Sequence, residues 1–241
     1  MFDKDHDALY EPQNMMIWFL LAFQGGLLNV AGFLGVGRFV SHVTGFATLF
    51  GVEAAKSNWI VAFGMMLVPL FFLIGTIFSG WFVERRIIKE EAPKYKIVFG
   101  VLILSLSSVL GLGIEGFFGP FHETLYTLGS FLYLFSLAFI CGTQNAVISS
   151  YSNRIVRTTH LTGLTTDLGI GLVRVWTYRK HASRHREMRA IYIIMGIIAF
   201  FALGSLIGAI IFSRVGYHGF ILPVILTSYI YYRLVFKSSI I

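Results

Sequence analysis

The chain carries the same polar motif twice inside apolar sequence, and this duplication narrows the folds open to it. Ser41-His42-Val43-Thr44-Gly45 recurs as Thr159-His160-Leu161-Thr162-Gly163. At that same spacing Thr48 matches Thr166, Gly51 matches Gly169 and Lys56 matches Arg174. Upstream, Gly26-x-x-Asn29 matches Gly142-x-x-Asn145, and downstream Phe71-Phe72-x-x-Gly75-Thr76 matches Phe200-Phe201-x-x-Gly204-Ser205. The spacing changes between these blocks in polar connections. A duplicated unit with polar residues embedded in apolar spans is the sequence mark of many transport folds.

Only 13% of the residues are charged and 56% are hydrophobic, with a mean hydropathy of +0.75. A soluble domain carries about 25% charged residues, so the composition predicts an integral, all-α membrane protein whose first partner is the lipid bilayer. At 241 residues it makes one membrane domain over 1–241, with a first repeat at 15–114 and a second at 123–236. The net charge of +7 does not indicate a nucleic-acid partner, because the basic residues sit in short loops between apolar spans. The single cysteine, Cys141, lies in an apolar stretch and reads as an inert buried thiol. Met1 to Asn14 is acidic and lacks a basic leader, so the first span is expected to act as an uncleaved targeting signal.

Six stretches reach the roughly 20 apolar residues that a bilayer crossing needs: 15–36, 59–83, 96–114, 123–148, 190–213 and 217–236. The two copies of the motif, 42–56 and 160–177, are shorter or more polar. Arg85, Arg86, Lys89, Lys94 and Lys96 follow the second span, and Arg179, Lys180, Arg184, Arg186 and Arg189 precede the fifth. Both loops are expected on the cytoplasmic side. Two crossings and a returning segment between them satisfy this; three crossings do not. The expected architecture is therefore six transmembrane helices plus two re-entrant half-helices. They form a 3+3 inverted-topology repeat in the inner membrane, with both termini cytoplasmic. Eight full spans in two parallel halves is the alternative.

Ser41 and Thr159 suit helix N-caps, and Lys56 and Arg174 suit helix C-termini. The N-terminal ends, with His42, Thr44, His160 and Thr162, would then point into the membrane. Such ends carry partial positive charge and favour anions. Thr44 with Thr48, and Thr162 with Thr166, place hydroxyls on one helix face, although threonine and glycine in membrane helices more often serve packing. The matched amides Asn29 and Asn145 would line the site or bridge helices. Glu53 and Asp167 are acids within polar segments, where carboxylates mark a proton relay or an ion pair. Asp167 shares a face with His160; an ion pair with Arg157 or Arg174 is an equal reading, and Glu53 would otherwise cap the turn beside Lys56. Gly75-x-x-x-Ser79 and Gly204-x-x-x-Gly208 read as helix packing or a homodimer face. The motifs of metalloproteases, phosphate-binding loops and serine hydrolases are absent, and no catalytic residue, metal or cofactor is assigned.

Gly142-Thr143-Gln144-Asn145-Ala146, followed by Arg157-Thr158-Thr159-His160-Leu161-Thr162-Gly163-Leu164-Thr165-Thr166-Asp167-Leu168-Gly169, resembles the YoaK family of bacterial membrane proteins. The first-half Gly25-Gly26-x-x-Asn29-x-x-Gly32 and His42-x-Thr44-Gly45 look like the same family, over essentially the whole chain. The resemblance implies a multi-span inner-membrane protein, without a substrate or reaction. The expected function is a transporter or channel for a small anionic or polar solute. A scaffold protein is the first rival, and an intramembrane enzyme using His160 and Asp167 is the second.

Overall fold

The computed structural model describes residues 11–122, 127–151, 161–177 and 183–236. Among these residues there are helices and no strands: α1 (Pro12–Val36), α2 (Val43–Ala55), α3 (Trp59–Phe82), α4 (Glu84–Ile88), α5 (Tyr95–Ile114), α6 (Leu128–Tyr151), α7 (Leu161–Thr177), α8 (Ser183–Val215), a 3₁₀ segment (Gly216–Phe220) and α9 (Ile221–Phe236). Five stretches are long and apolar enough to cross a membrane: Asn14–Val36, Trp59–Ile88, Tyr95–Ile114, Leu128–Ser150 and Glu187–Leu234. The last of these unites the expected fifth and sixth spans. Its 48 residues would reach about 70 Å as one straight helix, but the 3₁₀ segment breaks it, with Gly216 at φ +53°. Phe220 packs on Tyr133, at the level of Ala31, whereas Thr227 reaches Gln24. α9 therefore runs back against the direction of α8.

The long helices pair across the two halves of the chain. α1 lies along α8 and α3 lies along α6. Both pairs are parallel: Phe19, Phe23 and Val30 of α1 meet Gly196, Gly204 and Gly208, in that order. Phe131, Phe135 and Phe139 likewise meet Gly64, Phe71 and Gly75. α1 and α6 are antiparallel, since Gly35 meets Tyr133 and Gln24 meets Gln144. α5 and α9 pack together beside this row.

The contacts of one pair recur in the other, at positions matched in sequence. Phe19 stacks on Phe200 with ring centroids 5.0 Å apart, and Phe135 stacks on Phe71 at 4.6 Å. The Ser205 hydroxyl approaches the Gly26 carbonyl to 3.4 Å, as Thr76 approaches Gly142. A Cβ on Gly204 would strike the Phe23 carbonyl oxygen, and one on Gly75 would strike that of Phe139. Glycine thus lets backbones touch where two helices cross. The expected small-residue pairs are occupied within the chain, with Gly208 against Leu27 and Val30 and Ser79 fully buried.

Candidate functional site

After α1 ends at Gly37, in the left-handed conformation with φ +70°, the chain turns back along the helix it has just left. The Arg38 carbonyl and the Val40 side chain lie against Gly32. Ser41 reaches Asn29, whose Oδ1 accepts from both the Ser41 N–H (3.3 Å) and its hydroxyl (3.2 Å). This corrects the expected cap: the Ser41 hydroxyl is committed to Asn29, and His42 is the N-cap of α2, with no side-chain capping bond. The Asn29 amide joins the returning loop to α1.

His42 is exposed, its ring edge-on to Phe39 at 5.1 Å. Together with Arg38, Phe39, Gly45, Phe46 and Leu49 it lines a cleft of about 150 Å³. Arg38 donates from Nη1 to its neighbour's carbonyl, Gly37 O, at 2.9 Å. Its Nε is buried and has no hydrogen-bond partner. α2 then packs on α3, and α7 on α8.

The threonines turn inward on their own helices. Thr48 donates to the Thr44 carbonyl at 3.2 Å and Thr166 to that of Thr162 at 3.1 Å, and all four side chains are exposed. Asn145 is buried on α6. Asp167 is exposed on α7, and Arg174 reaches Glu187 of α8 at 3.7 Å. His160 and Arg157 lie outside the described residues.

Glu53 closes the α2–α3 turn. Its carboxylate accepts from Lys56 Nζ and Asn58 Nδ2, each at 3.1 Å. The Lys56 hydrogen bond leads in lowering its pKa below the ordinary value of 4.5, aided by Asn58 and the charge of Arg38. A carboxyl lowered in the folded state stabilises above its unfolded pKa, and loses that contribution as pH falls through the folded value. Melting midpoints taken from about pH 6 down to about pH 3 should therefore fall less for Glu53→Gln than for wild type. An equal fall in both would remove the turn from the acid response.

Two features were not anticipated from the sequence. Arg38 is one. The other is a polar knot at the α1–α6 crossing, where Gln24 Nε2 donates to Gln144 Oε1 (2.9 Å) and Gln144 Nε2 to the Leu21 carbonyl (2.8 Å). The Thr227 hydroxyl lies 3.0 Å from Gln24 Oε1, and the side chains of Gln24, Gln144 and Thr227 are fully buried. An amide inside an apolar span was the available signal, since it needs a partner there.

No curated protein and no solved structure matches the chain. A family model described as a protein of unknown function (DUF1275) matches residues 17–232, a stretch that takes in α2, α7 and all the long helices except the extreme ends of the first and last. The chain therefore belongs to the DUF1275 family.

Proposed function

We propose that the protein is an inner-membrane transporter or channel for a small polar or anionic solute. In this reading two inverted three-span halves each carry a re-entrant half-helix, α2 and α7. The YoaK resemblance accords with the multi-span inner-membrane placement alone. The observation that carries the reading is the backbone excursion at residues 37–42. Trp59 and Trp81, both exposed on α3, lie about 33 Å apart along the helix, close to the roughly 30 Å of a hydrocarbon core and typical of interfacial tryptophans. Midway between them, Phe71 stacks on Phe135. Two residues on, Leu137 packs at Gly32, where the returning loop also lies. Irregular backbone at mid-membrane depth is tolerated only when it is buried in protein or lines a wet cavity.

The antiparallel α1 and α6, and the recurring contacts of their partners, support the inverted relation of the halves. The basic residues of the 84–96 and 178–189 segments support a cytoplasmic placement of both. Cysteines at positions 90 and 183, in a Cys141→Ala background, should both react from the cytoplasmic side. Reaction from opposite sides would end the inverted-repeat reading.

The wet pathway is tested at α2. Thr44→Cys and Thr48→Cys should react with a membrane-impermeant maleimide in intact membranes, because their exposed face would line water. Unreactive cysteines at both positions would leave α2 facing lipid or protein and favour the rival reading. That rival is a non-transporting scaffold. It draws on the Gln24–Gln144–Thr227 knot, a sealed and hydrogen-bonded centre.

A further inference from the structure

We infer that the cleft between residues 38–42 and α2 is a binding subsite for a small carboxylate with an apolar body, held by Arg38. Three observations converge on it. First, Arg38 lines the cleft and its guanidinium is only partly engaged. Nη1 is occupied by the Gly37 carbonyl, while Nε is buried without a partner. The Nε–H and the neighbouring Nη2–H form the fork that grips both oxygens of a carboxylate. Nε–H has no accessible surface of its own, so it meets a ligand only when the guanidinium turns, and a carboxylate that draws it out satisfies a donor whose unpaired burial is costly.

Second, the charge has no ion pair among the described residues. The nearest carboxylate on α2 is Glu53. It senses Arg38's charge, yet its oxygens are taken by Lys56 and Asn58. Third, the remaining walls define the ligand. Phe39, Phe46 and Leu49 are apolar, and the volume of about 150 Å³ is that of a cavity able to hold a benzene-sized molecule. His42 also lines the cleft, its ring edge-on to Phe39. A phosphate would meet the charge but waste the apolar walls. The sequence also repeats the arginine: Arg38-Phe39-Val40 corresponds to Arg154-Ile155-Val156 at the spacing of Gly26 and Gly142, with the two extra residues of the second copy falling after Val156.

The subsite rests on the reading of residues 37–42 as a membrane-depth excursion, but its test does not require transport. Benzoate, benzyl alcohol and inorganic phosphate would be titrated into the full-length protein in lipid nanodiscs by calorimetry. Benzoate should bind saturably and the other two should not. Arg38→Gln should weaken benzoate roughly tenfold or more, the worth of a charge-assisted bond. Arg38→Lys should restore little, because an ammonium lacks the fork. As a measurement on the native arginine, benzoate should slow maleimide labelling of Leu49→Cys in the Cys141→Ala background, and benzyl alcohol should not. Absent benzoate binding, equal binding of benzyl alcohol or phosphate, or unchanged affinity in Arg38→Gln would each overturn the subsite. Binding that depends on Arg38 with no benzoate flux into proteoliposomes would uphold the subsite and count against transport. Flux indifferent to Arg38 would do the reverse.

Discussion

Gly75→Ala and Gly204→Ala should each sharply lower the yield of folded protein. At both sites the added Cβ would fall on a carbonyl oxygen of the facing helix, Phe139 for one and Phe23 for the other. Backbone oxygens cannot swing aside as a side-chain tip can, so two helices must separate along their whole contact. Overpacking of a core costs about 1–3 kcal/mol, occasionally more, and a backbone clash belongs at the upper end. Gly51→Ala and Gly169→Ala provide the contrast. A Cβ there meets nothing within 4 Å, so the substitution should be neutral, or stabilising by up to about 1 kcal/mol through helix propensity. Size-exclusion yield and melting midpoint separate the two groups. Equal behaviour of Gly204→Ala and Gly169→Ala would show that the α1–α8 approach is looser than described.

Hydropathy located the long helices because burial in lipid or protein asks the same thing of every residue along a span. It was blind where the helix is polar. α8 begins at Ser183 rather than 190 because its first turns carry Arg184, Arg189 and Glu187. α4 is five residues containing Glu84, Arg85 and Arg86. The repeat led to Asn29, yet the partner of Asn29 is Ser41, a residue whose type suggested a cap. Sequence spacing ranks local capping first, and a hydroxyl can be claimed by a tertiary partner instead. The polar knot leaves no trace in the repeat. Gln24 aligns with Ile140 and Gln144 with Leu28, so neither has a copy. Where two antiparallel helices cross, each half can supply one side of a hydrogen bond, and duplication need not preserve the residue type. Arg38 has no match in step with the histidines, because the insertion before Thr159 shifts its counterpart, Arg154.

Gln24→Leu and Gln144→Leu should each destabilise the protein, and the double substitution should cost less than their sum. Removing Gln144 leaves the buried Gln24 amide without its acceptor. Removing Gln24 leaves Gln144 Oε1 without its donor and takes an acceptor from Thr227. An orphaned buried group costs about 1–3 kcal/mol. With both gone, leucines meet across the α1–α6 crossing, the Leu21 carbonyl loses the Gln144 donor, and Thr227 loses the Gln24 acceptor but keeps the Pro223 carbonyl at 2.8 Å. The difference should appear as a coupling of about 0.6 kcal/mol, the average for hydrogen bonds between membrane helices, and at most about 1.7, in unfolding by a denaturing detergent. Additive losses would mean that the two amides do not depend on each other. The sign also bears on function. Gln24 and Gln144 join α1 to α6, so any transport motion that slides the α1–α8 pair on the α3–α6 pair would have to stretch or exchange this bond. If the double variant keeps its fold and carries solute at an altered rate, the knot is part of the moving interface. If it keeps its fold and every function measured, the knot only sets the register of α1 on α6.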